Sequence, residues 1–305
     1  MKNTTFKLFY LLTIFCSFKG YSELPRYEFD LETGYRKDSL NWNIGGPNRK
    51  PNILSELNWK DLTASEITSC FKIFQNNGYI RLSGNYAHFF SGSVQDSDYF
   101  GDNRKGEYSR SKAKSSGSHA YGISTATGFQ FPLCSNQLIF YPLIGYAWNA
   151  QHFKIKDGFQ IIDLEDNFYG SLYRLHSSYK SRFQGPFIGI DLNYRVNPLF
   201  TILATFEYHF LKYTGTGHWN FRKDFYKDFQ HTANGHGVFG SLGAFYQINS
   251  RLSLGITFKG KCFKAKQGNV KFYALIKDKK LVINQPFNNI TWKSFNTLFS
   301  MRYVF

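Results

Sequence analysis

The sequence predicts an all-β protein, a transmembrane antiparallel β-barrel of about ten strands. Three observations carry that expectation. Apolar and polar residues alternate with period two over runs of ten residues or more. Short turns alternate with long polar connections. The composition is heavy in aromatics and glycine, with 33 Phe, 21 Tyr and 26 Gly in 305 residues. A hydrophobic share of 42% excludes a disordered chain. Beyond the first twenty residues, no run reaches the roughly 18 apolar residues that a spanning helix needs.

The N-terminus sets the compartment. Lys2 and Lys7 precede a nearly unbroken apolar stretch from Leu8 to Phe18, and Gly20, Tyr21 and Ser22 supply a cleavage site. This reads as a signal peptide over 1–22, leaving 23–305 as the barrel. Export takes the chain away from nucleic acid, so the net charge of +16 is not a nucleic-acid footprint. Cys70, Cys134 and Cys262 fit neither a zinc site nor a disulfide framework, and are read as small apolar fillers.

The strands follow from alternation. Ile188, Ile190, Leu192, Tyr194 and Val196 share one face, with Gly189, Asp191, Asn193 and Arg195 on the other. Phe200, Ile202, Ala204, Phe206, Tyr208 and Phe210 oppose Thr201, Thr205, Glu207 and His209, with Leu203 out of pattern. Leu252, Leu254, Ile256 and Phe258 then oppose Ser253, Gly255, Thr257 and Lys259. The last strand sets Phe295, Phe299, Met301, Tyr303 and Phe305 against Ser294, Ser300 and Arg302. Short turns are expected at 75–78, 134–136, 197–198 and 249–250. Long loops are expected near 45–50 and over 91–117, 154–178, 214–232 and 262–289. Closure is expected because lipid cannot satisfy the polar groups of an open sheet edge. The terminal aromatic, Phe305, resembles the signature read by outer-membrane assembly machinery.

Several segments resemble the omptin family, ten-stranded outer-membrane barrels with endopeptidase activity. SELNWK at 55–60 resembles the omptin second strand, and YKSRFQGPFIGIDLNYR at 179–195 resembles the sixth. The run 237–268 is similar to the eighth and ninth strands, and 294–305 to the terminus. The resemblance implies a catalytic set in which an Asp pair and a His-Asp couple hold a water. DSDY at 96–99 supplies Asp96 and Asp98, two residues apart and so on one face of an extended chain. Two close carboxylates suit general acid/base work, although a D-x-D pair also fits a solvated loop. His218 is the counterpart of the omptin His, yet no carboxylate lies within two residues of it. An acidic neighbour would orient the imidazole. Asp224 is a candidate to fold back, and His218 also reads as a plain loop residue.

The resemblance implies lipopolysaccharide as an activator and no other cofactor. Arg182 matches an omptin lipid-binding arginine, whereas the fifth-strand charged pair is replaced by Trp148 and Ala150. Lys259, Lys261, Lys264 and Lys266 read either as a phosphate-facing array or as a solvated rim or lumen. No metal helix, phosphate loop or nucleophile elbow is present. Size, leader and Phe/Lys-rich composition also look like the Pom outer-membrane proteins of environmental chlamydiae, which implies porin activity. Two functional expectations result. One is a non-proteolytic outer-membrane barrel, a small pore or a surface barrel acting through its loops. The alternative is an omptin-type endoprotease using Asp96, Asp98 and His218 near basic residues.

Overall fold

The structure, a computed structural model, describes residues 24–134 and 137–305. The leader expected at 1–22 lies outside them. The strands are β1 (Arg26–Ile44), β2 (Ser55–Gln75), β3 (Gly78–Gly101), β4 (Lys105–Lys114), β5 (Ser118–Phe129) and β6 (Phe131–Leu133). They continue with β7 (Leu138–Asp163), β8 (Gly170–Asn197), β9 (Phe200–His218), β10 (Phe225–Gln247), β11 (Leu252–Ile276) and β12 (Lys279–Val304). Every pairing is antiparallel, and β1 pairs with both β2 and β12, so the sheet closes. β4 and β5 both lie between β3 and β7, and β6 extends the same line along β7. These three pieces form one stave, and the ring has ten.

The expected faces hold. Ile188, Phe206, Leu242, Ile256, Phe295 and Phe299 stand exposed on the outside. Asp191, Glu207, His209, Ser300 and Arg302 are buried inside. The connections differ from expectation. The polar stretches at 91–117, 154–178, 214–232 and 262–289 fold mostly as strand, so hairpins rise above the apolar band where loops were expected. Their backbone groups are paired across the ladder, which local polarity cannot reveal. The lysine cluster splits by alternation: Lys264 and Lys266 are exposed outside, while Lys259 reaches lumen Glu32. Cys134 is exposed at a turn, where a filler was expected, and Cys70, Cys134 and Cys262, the cysteines among the described residues, are free thiols.

One-residue bulges shift the facing in several staves, among them β2, β3 and β7. Asp61 and Asp157 adopt left-handed backbone (φ 52° each) at register slips in β2 and β7, a conformation short polar residues tolerate. Below the β2 slip the inward residues are even-numbered, Leu62, Ala64 and Glu66. Above it they are Leu57 and Trp59. β3 slips near Gly92 and turns Val94 and Asp96 inward.

The interior has three layers. A floor near the short turns contains Phe74, Tyr79, Tyr141 and Phe187. A charged layer lies next, around a cavity of about 180 Å³. Above it an aromatic plug fills the bore, including Trp42, Trp59, Phe153, Tyr179, Phe183 and Trp292. Its rings pack at centroid distances of 5.3 Å for Trp59 with Phe153 and with Tyr179, and 5.7 Å for Phe183 with Trp292. Gly215 and Gly217 face inward on β9, where a Cβ would collide with the hydroxyls of Tyr179 and Tyr213 and with the Phe229 ring.

Candidate functional site

The charged layer is ion-paired across the bore. Arg81 on β3 donates to Asp191 on β8 at 2.7 Å and also to Glu207 on β9. His209 joins Glu207 at 2.8 Å. Arg302 meets Asp30 at 2.6 Å, and Lys72 reaches the same carboxylate at 2.9 Å. Arg36 grips Asp38 and reaches Glu66. Lys261 donates to Asn149 at 2.7 Å and lies 4.7 Å from the Trp292 ring centre. Apart from Lys261, which meets an amide oxygen and an aromatic face, these charges are met by opposite charges, as buried charges require.

The crown, away from the short turns, holds a second cavity of about 160 Å³. Asp96 lines it. Its cross-strand neighbours are Leu57 on β2 and Ser111 on β4. Leu172, Leu175, Ser177 and Trp219 close the opposite side. The Asp96 Oδ1 atom is buried and accepts no hydrogen bond. Burial holds the Asp96 carboxyl well above the ordinary range, and the nearby charge of Asp98 adds to the rise. Burial also raises Asp98, opposed by the Ser55 hydroxyl and by Arg222. The Arg222 guanidinium is itself committed to Asp224, at 2.8 and 2.7 Å.

His218 lies elsewhere. It ends β9 on the exposed outward face, while Gly215 and Gly217 occupy the inward positions. Its Nδ1 lies 2.8 Å from Asp228 Oδ1, and both side chains are about half exposed. The acidic partner that sequence reading sought near His218 is thus Asp228, ten residues away across the β9–β10 hairpin; Asp224 pairs with Arg222 instead. Asp96 faces the cavity and His218 faces outward, so the two halves of the expected catalytic set do not share a cleft. Arg182 is exposed on β8, and its Nε donates to Thr214 at 3.2 Å.

Sequence reading missed the buried His231. Its Nδ1 lies 2.9 Å from the Tyr179 hydroxyl, and its ring packs 4.8 Å from Trp42 and 4.6 Å from Phe287. Burial pushes its pKa down to about 3, so the imidazole is neutral. Its odd parity, shared with Phe229 and Ala233, was the available signal.

A closed ring with an apolar outer wall and a charged layer enclosed in its bore defines an integral outer-membrane β-barrel protein. The model of the Protochlamydia outer membrane protein family, Pom, matches residues 30–305, and the chain belongs to that family. Among solved structures, it is similar to the outer membrane protease OmpT from Escherichia coli. The identity is 17% and the TM-score 0.78, covering 92% of this chain and 97% of that one. That likeness supports the omptin-like fold, and fold alone does not transfer activity. OprG from Pseudomonas aeruginosa (9% identity, TM-score 0.32, 91% and 95% covered) superposes too poorly to inform the site. The same is true of the toluene transporter TbuX from Ralstonia pickettii (8%, 0.37, 92% and 89%). No curated protein matches the chain. The protein is placed in the outer membrane, in a lipid environment.

Proposed function

We propose that this barrel works at the cell surface through its crown, with its bore closed and without proteolysis. The observation that supports this reading is the aromatic plug, stacked on a layer of mutually paired charges. A conducting pore needs a continuous wet path, and small barrels filled by side chains do not provide one. Proteolysis by the omptin route would need the His218 imidazole beside Asp96, and His218 instead faces outward. The exposed Phe305, whose amide donates to Tyr27 O at 3.0 Å, presents its ring beside Tyr303 to the assembly machinery. Above the apolar band, Lys37, Lys212, Lys264, Lys293 and Arg182 are exposed on the outer wall. They suit the phosphates of lipopolysaccharide.

The test is conductance of refolded protein in a planar bilayer. We expect bare-membrane current with at most brief flickers. Steady, ohmic single-channel steps would overturn the closed-bore reading and favour a pore.

A further inference from the structure

We infer that the crown cavity is a binding site for an ammonium group carried on a small apolar or aromatic body. The inference rests on the crown-acting reading above and names the ligand class. The chemistry comes from the lining. Asp96 Oδ1 is buried and accepts no hydrogen bond, and an orphaned acceptor of this kind costs free energy unless a partner meets it. The nearby arginine, Arg222, makes no hydrogen bond to that oxygen; its Nε and Nη2 hold Asp224, and its charge reaches Asp96 only through space. Ser109 and Ser111 bring hydroxyl oxygens to the same wall, and the Ser109 oxygen, which already accepts from the Gln160 amide at 3.1 Å, keeps one lone pair for a further donor. An ammonium has three donors and no acceptor, which matches one carboxylate oxygen and two hydroxyls.

The remaining walls select the body of the ligand. Leu57, Val94, Ile155 and Leu175 are apolar, and Trp219 and Phe221 add aromatic faces. Aromatic faces favour a cation or a stacked ring over an anion. A volume of about 160 Å³ admits a side-chain-sized group and not a folded segment. The cavity needs no catalytic imidazole to serve this purpose.

Binding is pH-dependent. Asp96 shares the crown with Asp98; Arg222 and Tyr108 lie near both carboxyls, and Glu165 and Glu107 lie near Asp98. A carboxyl raised by burial keeps its proton to higher pH than a free one and must ionise to pair with an ammonium. Affinity therefore rises with pH through the Asp96 titration, and binding releases a proton.

The experiment is calorimetric titration of phenethylamine into full-length mature barrel in uncharged maltoside micelles, at pH 5 and pH 8. Phenethyl alcohol is the neutral control, and a short lysine-containing peptide is a second arm. Asp96→Asn keeps the shape and removes the charge, and its retained heat-modifiable gel shift reports folding. We expect amine binding tighter at pH 8, at least tenfold weaker binding in Asp96→Asn, and at least tenfold weaker binding of the alcohol. If the peptide binds and the free amine does not, the ammonium belongs to a peptide side chain and the chemistry stands. Equal binding of amine and alcohol, unchanged affinity in D96N, or no binding in either arm overturns the inference. A barrel that conducts yet binds the amine loses the closed-bore reading and keeps this site.

Discussion

His231 sits neutral among Trp42, Tyr179 and Phe287, with its pKa lowered to about 3 by burial. In the unfolded chain an imidazole titrates near pH 6.5, roughly. Between those values the unfolded state binds the extra proton, so folding stability falls as pH drops from about 6.5 toward 3. The limiting slope is about 1.4 kcal/mol per pH unit. Urea unfolding in micelles across that window should show the wild type losing stability faster than His231→Phe. Parallel pH profiles would show that the imidazole is already charged in the plug. Sequence reading set Asp96 and Asp98 on one face of an extended chain, because i and i+2 alternation is local. It missed Asp228 as the partner of His218, because that contact depends on the register of the β9–β10 hairpin. The aromatic plug was not legible either, since an inward Phe and an outward Phe read alike in isolation.

Arg81 shows how charges tie elements. One guanidinium on β3 holds β8 through Asp191 and β9 through Glu207, across the bore. Arg81→Met leaves both carboxylates buried without their cation. That change should cost about 3–5 kcal/mol, the penalty for breaking a buried pair from one side. Equilibrium unfolding reads the effect, and a loss under 1 kcal/mol, roughly the value of an exposed pair, would mean that water replaces the guanidinium. Strand identity was legible in the sequence wherever lipid imposed alternation, as from Ile188 to Val196. The hairpins above the band were read as loops because both faces there are polar or covered, so the period-two signal fades. In that zone cross-strand pairing decides the structure, as in Lys264 opposite Thr291 and Asn269 opposite Pro286.

The whole molecule divides along its axis into an apolar belt, a basic ring and a crown. Lys37, Lys212, Lys264 and Lys293 stand on four different staves and are exposed. Replacing all four by Gln should leave the fold intact and weaken association with lipopolysaccharide vesicles at least tenfold at low salt. The difference should shrink as salt rises, because exposed charges are screened over about 10 Å at 0.1 M. Salt-independent, unchanged association would assign the attachment to the apolar belt alone. Closure, ring size and compartment were legible in the sequence as whole-chain properties, because a lipid-spanning sheet has no stable open form.

The slips at Asp61, near Gly92 and at Asp157 act like frame shifts in a message. The stretch below each slip is read in one phase by the lipid, and the stretch above is read in the other by the crown. Deleting Asp61 would leave the membrane portion of β2 unchanged and invert the segment between that position and the rim. Leu57 and Trp59 would face solvent, and Glu56 would turn toward the Asp96 carboxylate. A single codon thus separates a sealed, selective mouth from one lined with mutually repelling charge.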